Sequence, residues 1–147
     1  MDYAFRLRLY RRIERERQTK VLAFITGDRP GMETAIAPDC IAPFVALLDQ
    51  IGPTNKISLV LYTNGGQTLV AWRLVNLIRT FCDELEVIVP TKALSAGTLI
   101  TIGADKIVMT KQAALGPIDP SVNNPLNPQA NILWQMRQVP VSVENVR

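Results

Sequence analysis

Two short stretches of this chain combine residue types suited to acyl chemistry, and they lie thirty residues apart. The first is Asn64-Gly65-Gly66. A diglycine lets the backbone take positive φ and leaves its N–H groups uncovered by side chains, and a helix that follows adds the partial positive charge of its N-terminus. Such a turn suits an oxyanion; an ordinary tight turn uses the same residues. The second is Ser95-Ala96-Gly97. Small neighbours allow a substrate carbonyl to approach the serine hydroxyl, and the Ala96 N–H would point to the same place. A serine opening a helix is also a common N-cap.

A serine hydroxyl is a weak nucleophile until a base takes its proton. The chain has no histidine, so no Ser-His pair forms from these residues. Lys92, Lys106 and Lys111 are near enough in sequence to be considered as bases, although each suits a surface position better. Asp119, held between Pro117 and Pro120 in Leu115-Gly-Pro-Ile-Asp-Pro120, either orients a base or closes a turn. Cys40 and Cys82 fall within apolar helical patterns without CxxC spacing. With no histidine, a zinc site has nothing to be built from, and no cofactor is expected. Reduced, buried thiols in a cytoplasmic protein are the expectation.

The elements that position these residues follow from hydrophobic periodicity. Val21–Ile25 reads as a buried strand. Ile41, Phe44, Val45, Leu48 and Ile51 mark a helix, with Asp39 as its N-cap and Gly52-Pro53 as its stop. Ile57–Tyr62 is a strand apolar on both faces, as in parallel sheets covered by helices. A helix with Val70, Leu74, Leu77, Ile78 and Phe81 on its buried stripe follows. Then come a strand over Leu85–Val89, a small-residue helix from Ser95, and a strand over Lys106–Met109. This alternation implies an α/β domain with crossover helices. In such sheets the site lies beyond the carboxyl ends of the strands, and both candidate turns fall there.

Composition bounds the rest. The chain has 147 residues, 48% hydrophobic and 20% charged, which suffices for one packed domain. Residues 1–20 carry seven cations against three acids, a balance of +4, leaving the other 127 residues at −1. Residues 1–20 form a basic helical arm, and 21–147 form the domain. Phe5, Leu9 and Ile13 make one helical stripe on that arm, expected to dock on the domain or on a neighbouring subunit. The charge is that of a solvated helix rather than a nucleic-acid surface. Membrane association has no sequence support beyond the basic arm, for no run approaches the length of a span. There is no signal peptide pattern. Val139, Val141 and Val143 begin an alternation that then stops, which reads as truncation.

From Leu59 to Asn131 the sequence resembles the serine dehydrogenase proteinase family, a distant relative of Clp protease and signal peptide peptidase A. The resemblance is carried by Val89-Pro90, Ala93-Leu94-Ser95-Ala96-Gly97-Thr98-Leu99-Ile100, Ala104-Asp105-Lys106-Ile107-Val108-Met109 and Leu115-Gly116-Pro117-Ile118-Asp119-Pro120. It implies a Clp protease/crotonase-like fold of repeated β-β-α units with a mainly parallel sheet. It implies a serine endopeptidase acting on peptides or proteins through a Ser95 acyl-enzyme. Gly65, Gly66 and Ala96 match oxyanion-hole positions, and Asp119 matches a triad aspartate whose histidine would follow Arg147. A homo-oligomer is implied as well.

The chain departs from the family pattern at three points. Asn64 stands where relatives usually have proline, Ala96 where they often have glycine, and Thr91 where they often have histidine. A crotonase-like acyl-CoA enzyme and a non-catalytic pseudo-peptidase scaffold are the competing readings. Covalent labelling of Ser95 by a fluorophosphonate separates the peptidase from the crotonase-like reading, and a histidine or lysine after Arg147 that reaches Ser95 would separate it from the scaffold.

Overall fold

The computed structural model describes residues 2–118 and, beyond them, the backbone strands 121–122, 129–132, 135–138 and 141–142. The chain divides into two compact units, Met1–Pro117 and Ile118–Arg147. In the second, a hairpin joins β8 (Gln129–Ile132) to β9 (Gln135–Gln138), and β7 (Ser121–Val122) pairs antiparallel with β10 (Val141–Ser142).

The first unit is built on a four-stranded sheet in the order β1-β2-β3-β5, parallel throughout. Its strands are β1 (Lys20–Ile25), β2 (Thr54–Tyr62), β3 (Cys82–Val89) and β5 (Lys106–Met109). The helices between them are α2 (Ile41–Ile51), α3 (Thr68–Arg79) and α4 (Ala96–Ile102), and α1 (Tyr3–Arg17) precedes β1. A two-residue strand β4 (Lys92–Ala93) pairs with β6 (Ala114–Leu115). The Clp protease-like mixed α/β architecture read from the sequence is the observed one.

The core follows the apolar runs. Ile57, Leu59 and Leu61 of β2 and Leu85, Val87 and Val89 of β3 are fully buried against Leu48, Leu74, Ile78 and Ile100 of the helices. The outer strands differ from the sequence reading. Ala23 and Ile25 of β1 are exposed, as are Ile107 and Met109 of β5. A helical layer covers one face of β1, where Phe24 meets Phe44 edge-on at 5.3 Å, and leaves the other face to solvent.

Other local expectations are corrected. Asp39 does not cap α2; it lies in a 3-10 turn over Pro38–Cys40 with no side-chain cap bond. Val45 is exposed. Cys82 opens β3 rather than lying in a helix, and both thiols are free and half-buried. Burial raises the pKa of each, which disfavours the reactive thiolate.

One buried charge organises the second face of the sheet. Glu86 of β3 is fully buried, and Arg17 at the end of α1 donates to both its oxygens, at 2.7 and 2.5 Å. Ser58 donates to the same carboxylate at 2.8 Å, and Lys56 lies 3.6 Å away. The Arg17 hydrogen bonds, followed by those from Ser58 and the neighbouring cations, pull the Glu86 pKa down to about 2. A buried carboxylate survives only when its lone pairs are met in this way. The arrangement fastens α1 to the first unit.

Candidate active site

The candidate site begins where β2 runs out. Past Tyr62, Thr63 continues as a parallel bridge to Ala93, with Thr63 N–H donating to Lys92 O at 3.2 Å and Leu94 N–H donating to Thr63 O at 3.1 Å. This pairing carries the next residues of both segments, Gly65 and Ser95, to the same place. A Cβ on Gly65 would stand 2.7 Å from Ser95 Cβ and 3.3 Å from its Oγ. The two turns therefore meet.

Ser95 occupies φ 51°, ψ −118°, immediately before α4. That is a positive-φ conformation outside even the small left-handed helical well, which a residue with a Cβ adopts at a cost of about 1–3 kcal/mol. Its side chain makes no cap bond to the helix, so the N-cap interpretation does not describe it. The residue is half-buried, and its Oγ bonds to no other described residue. A sharp, strained strand-to-helix turn of this kind lifts a serine hydroxyl clear of its surroundings.

Of the three candidate oxyanion donors, two remain open. Neither the Gly66 N–H nor the Ala96 N–H is donated to another described residue. The Gly65 N–H is already taken, donating to Thr63 Oγ1 at 2.9 Å. Gly65 instead serves by lacking a side chain, since at φ 114° any Cβ would collide with Ser95 and Leu94.

Gly66 is clamped by a segment that the sequence did not single out. Ile36 N–H donates to Gly65 O at 2.9 Å, and Gln67 N–H donates to Ile36 O at 2.8 Å. A Cβ on Gly66 would lie 2.3 Å from Ile36 O. A bulky residue there would therefore disturb folding as well as the turn. The turn after Tyr62 gave no signal of this partner, because Ile36 sits in an unpatterned loop.

Thr63 joins the site's parts. Its Oγ1 accepts the Gly65 N–H and lies 3.0 Å from Thr26 Oγ1, while its methyl fills the space over Gly97. A Cβ on Gly97 would come within 2.3 Å of Thr63 Cγ2, and its other contacts would be ordinary or nearly so. Gly97→Ala is therefore expected to destabilise the chain by about 2 kcal/mol through overpacking. The double variant with Thr63→Ser, which keeps the hydroxyl and deletes the methyl, should recover most of that loss. Urea denaturation of both single variants and the double one measures the coupling; strict additivity would refute the contact.

The lysines considered as bases are placed as follows. Lys92 Nζ is 2.9 Å from Asp28 and stands over the Tyr62 ring at 5.2 Å. The Asp28 contact, then the Tyr62 contact, raise its pKa, so it stays protonated. The Tyr62 hydroxyl and Lys92 hold the Asp28 carboxyl below its ordinary range. Lys106 and Lys111 are exposed. Asp119 lies outside the described residues. Asp105, part of the sequence motif, has a structural role: it accepts from Arg79 at 2.9 and 3.0 Å and from Leu85 N–H at 2.8 Å. The Arg79 pairing, then the Leu85 bond, lower its pKa. Among the described residues no cluster of His, Cys, Asp and Glu could hold a metal ion.

At the same sheet edge, Ile25, Met32, Tyr62 and Pro90 line an open hollow of about 590 Å³ that also borders Asp28 and Arg29. It is mostly apolar and could take a side chain.

Comparison with known proteins adds to this geometry. Residues 44–143 match a family described as ClpP-like SDH-type serine proteinase. The uncharacterized protein MJ1495 of Methanocaldococcus jannaschii is 33% identical over 137 residues, covering 87% of this chain and 45% of that protein. The uncharacterized protein MJ0137 of the same organism is 44% identical over 71 residues, covering 48% of this chain and 25% of that protein. The chain thus spans less than half the length of each of these relatives.

Proposed function

The chain belongs to the ClpP-like SDH-type serine proteinase family, and from that membership we propose that it carries the nucleophile of a peptidase, with Ser95 forming the acyl-enzyme. The observation that supports this most directly is Ser95 itself. It is a strained serine whose hydroxyl caps nothing, set against a glycine turn.

In the proposed reaction, Ser95 Oγ adds to a peptide carbonyl as its proton passes to a base. The carbonyl oxygen, now negative, is held by the Gly66 and Ala96 N–H groups. Collapse expels the amine, which takes the proton, and water then hydrolyses the ester. Removing one such oxyanion donor typically costs about 3 kcal/mol of transition-state stabilisation. The apolar hollow at Ile25 and Met32 supports a substrate with a hydrophobic side chain.

The base is the part these residues do not supply, since the chain has no histidine and Lys92 is held protonated. In this proposal the base would be a histidine following Arg147, with Asp119 orienting it, as the resemblance implies. The competing reading is a non-catalytic peptide-binding scaffold, favoured by the same lack of a base.

The test is to react a chain extended to its relatives' length with a fluorophosphonate and map the adduct by mass spectrometry. A single adduct on Ser95 is expected, together with hydrolysis of peptide substrates. Failure of Ser95 to label when that chain is folded would retire the proposal and leave the scaffold reading.

A further inference from the structure

The apolar stripe of the arm divides, with Ile13 half-buried on the inward side and Phe5 and Leu9 turned outward. No residue of α1 is fully buried, and Tyr3, Phe5 and Leu9 are 70%, 40% and 41% exposed. Its half-buried residues, Leu7, Tyr10, Ile13, Glu14 and Arg17, share the inward side. The outward side carries Arg8, Arg11, Arg12 and Arg15 beside Phe5 and Leu9, with one acid, Glu16, paired to Arg12 at 2.6 Å, and the Arg8 guanidinium stands over the Phe5 ring at 5.8 Å.

Where α1 turns into β1, Arg8, Arg11, Arg15 and Lys20 border an open groove of about 710 Å³. None of these four cations pairs with an acid among the described residues. The one acid at the groove, Glu14, accepts from Val21 N–H at 3.2 Å. Like charges three and four residues apart weaken a helix, so the stripe works against the stability of its own helix.

We propose that this outward side of α1, with its groove, rests on an anionic lipid surface. The arginines and Lys20 would meet headgroup phosphates, and Phe5 and Leu9 would enter the acyl boundary. The combination selects this partner. A polyanion alone has no use for exposed Phe5 and Leu9, and a second copy of a chain this basic has no acidic stripe in α1 to offer. Basic residues flanking aromatic and aliphatic ones on a short helix are what interfacial binding requires. No helix among the described residues is long and apolar enough to cross a membrane, so the contact is peripheral.

Co-sedimentation of the whole chain with vesicles tests this, using phosphatidylglycerol mixed with phosphatidylcholine against pure phosphatidylcholine. Binding to the anionic vesicles is expected to exceed the neutral case at least tenfold and to weaken in high salt. Each arginine removed at Arg8, Arg11 or Arg15 should weaken partitioning by about fivefold. Phe5→Ser/Leu9→Ser should weaken it further, with circular dichroism unchanged. Equal binding to both vesicle types, or none, overturns the proposal. So does loss of a dimer in Phe5→Ser/Leu9→Ser without loss of lipid binding, which would make the face a contact between copies. Binding of inorganic polyphosphate with no vesicle binding would show that charge alone is recognised, and overturns it too.

Discussion

Ser95→Ala and Ser95→Gly are expected to abolish fluorophosphonate labelling equally and to affect stability differently. Both remove Oγ, so both should lower peptide hydrolysis by at least about a thousandfold in the extended chain, the scale on which a serine nucleophile acts. Alanine keeps the Cβ that makes φ 51°, ψ −118° costly, and its stability should stay within about 0.5 kcal/mol of the parent. Glycine releases that strain and gives back part of it through the greater freedom of its unfolded chain. A net gain of about 1 kcal/mol is expected, read as a shift in the urea midpoint at constant slope. If Ser95→Gly is less stable than Ser95→Ala, the backbone there is not strained, and the main support for the nucleophile assignment goes with it.

Glu86→Gln should be the more damaging change for folding. Its carboxylate is fully buried between Arg17, Ser58 and Lys56, and an amide cannot accept both guanidinium bonds. Removing one partner of a buried pair leaves the other charge uncompensated, at a cost of about 3 kcal/mol. The pH dependence follows from the direction of the shift. Folding lowers the Glu86 pKa from an ordinary 4.5 to about 2. The stabilisation, about 3 kcal/mol for a shift of this size, is therefore complete above pH 4.5 and is lost as pH falls toward 2. Urea denaturation of the parent and of Glu86→Gln at pH 7, 4 and 2.5 should show a wide gap that narrows only below pH 4.5. A gap independent of pH would mean that Glu86 contributes through packing rather than charge. Loss of the Arg17 tether should also make α1 more susceptible to proteolysis.

Much of the fold can be read along the chain, and the reasons are local. Ile57–Tyr62 and Leu85–Val89 are dominated by apolar residues, and Val70, Leu74 and Ile78 recur at helical spacing; Ile57, Leu59, Leu61, Leu85, Val87 and Val89 of the strands and all three of the helix ended up buried. Both strands, however, begin three residues earlier, at Thr54-Asn55-Lys56 and Cys82-Asp83-Glu84. Polar residues hide a strand's start, because the ladder is made by the backbone and not by side chains. Glu86 was missed for the opposite reason. A single acid within an apolar run looks like an interruption until Arg17, sixty-nine residues earlier, is seen to meet it.

The candidate site divides along the same line. Ser95, Ala96, Gly65 and Gly66 could be picked out because their types are chemically suggestive and their turns follow strands. That Ile36 would hold Gly66 could not, since it depends on tertiary pairing; the bond from the Gly65 amide to Thr63 is a local turn bond over two residues that sequence reasoning passed over. The φ of Ser95 is likewise invisible in the residue's name; it arises from the Thr63–Ala93 bridge and α4 meeting within two residues.

Because its four strands all run the same way, the first unit has a defined polarity. Lys20 and the cationic groove stand where strands begin, and Ser95 stands where they finish. Nine residues of β2 make a rigid spacer of about 30 Å. A chain seated by its groove would thus carry its serine at the opposite end of the sheet from the contact.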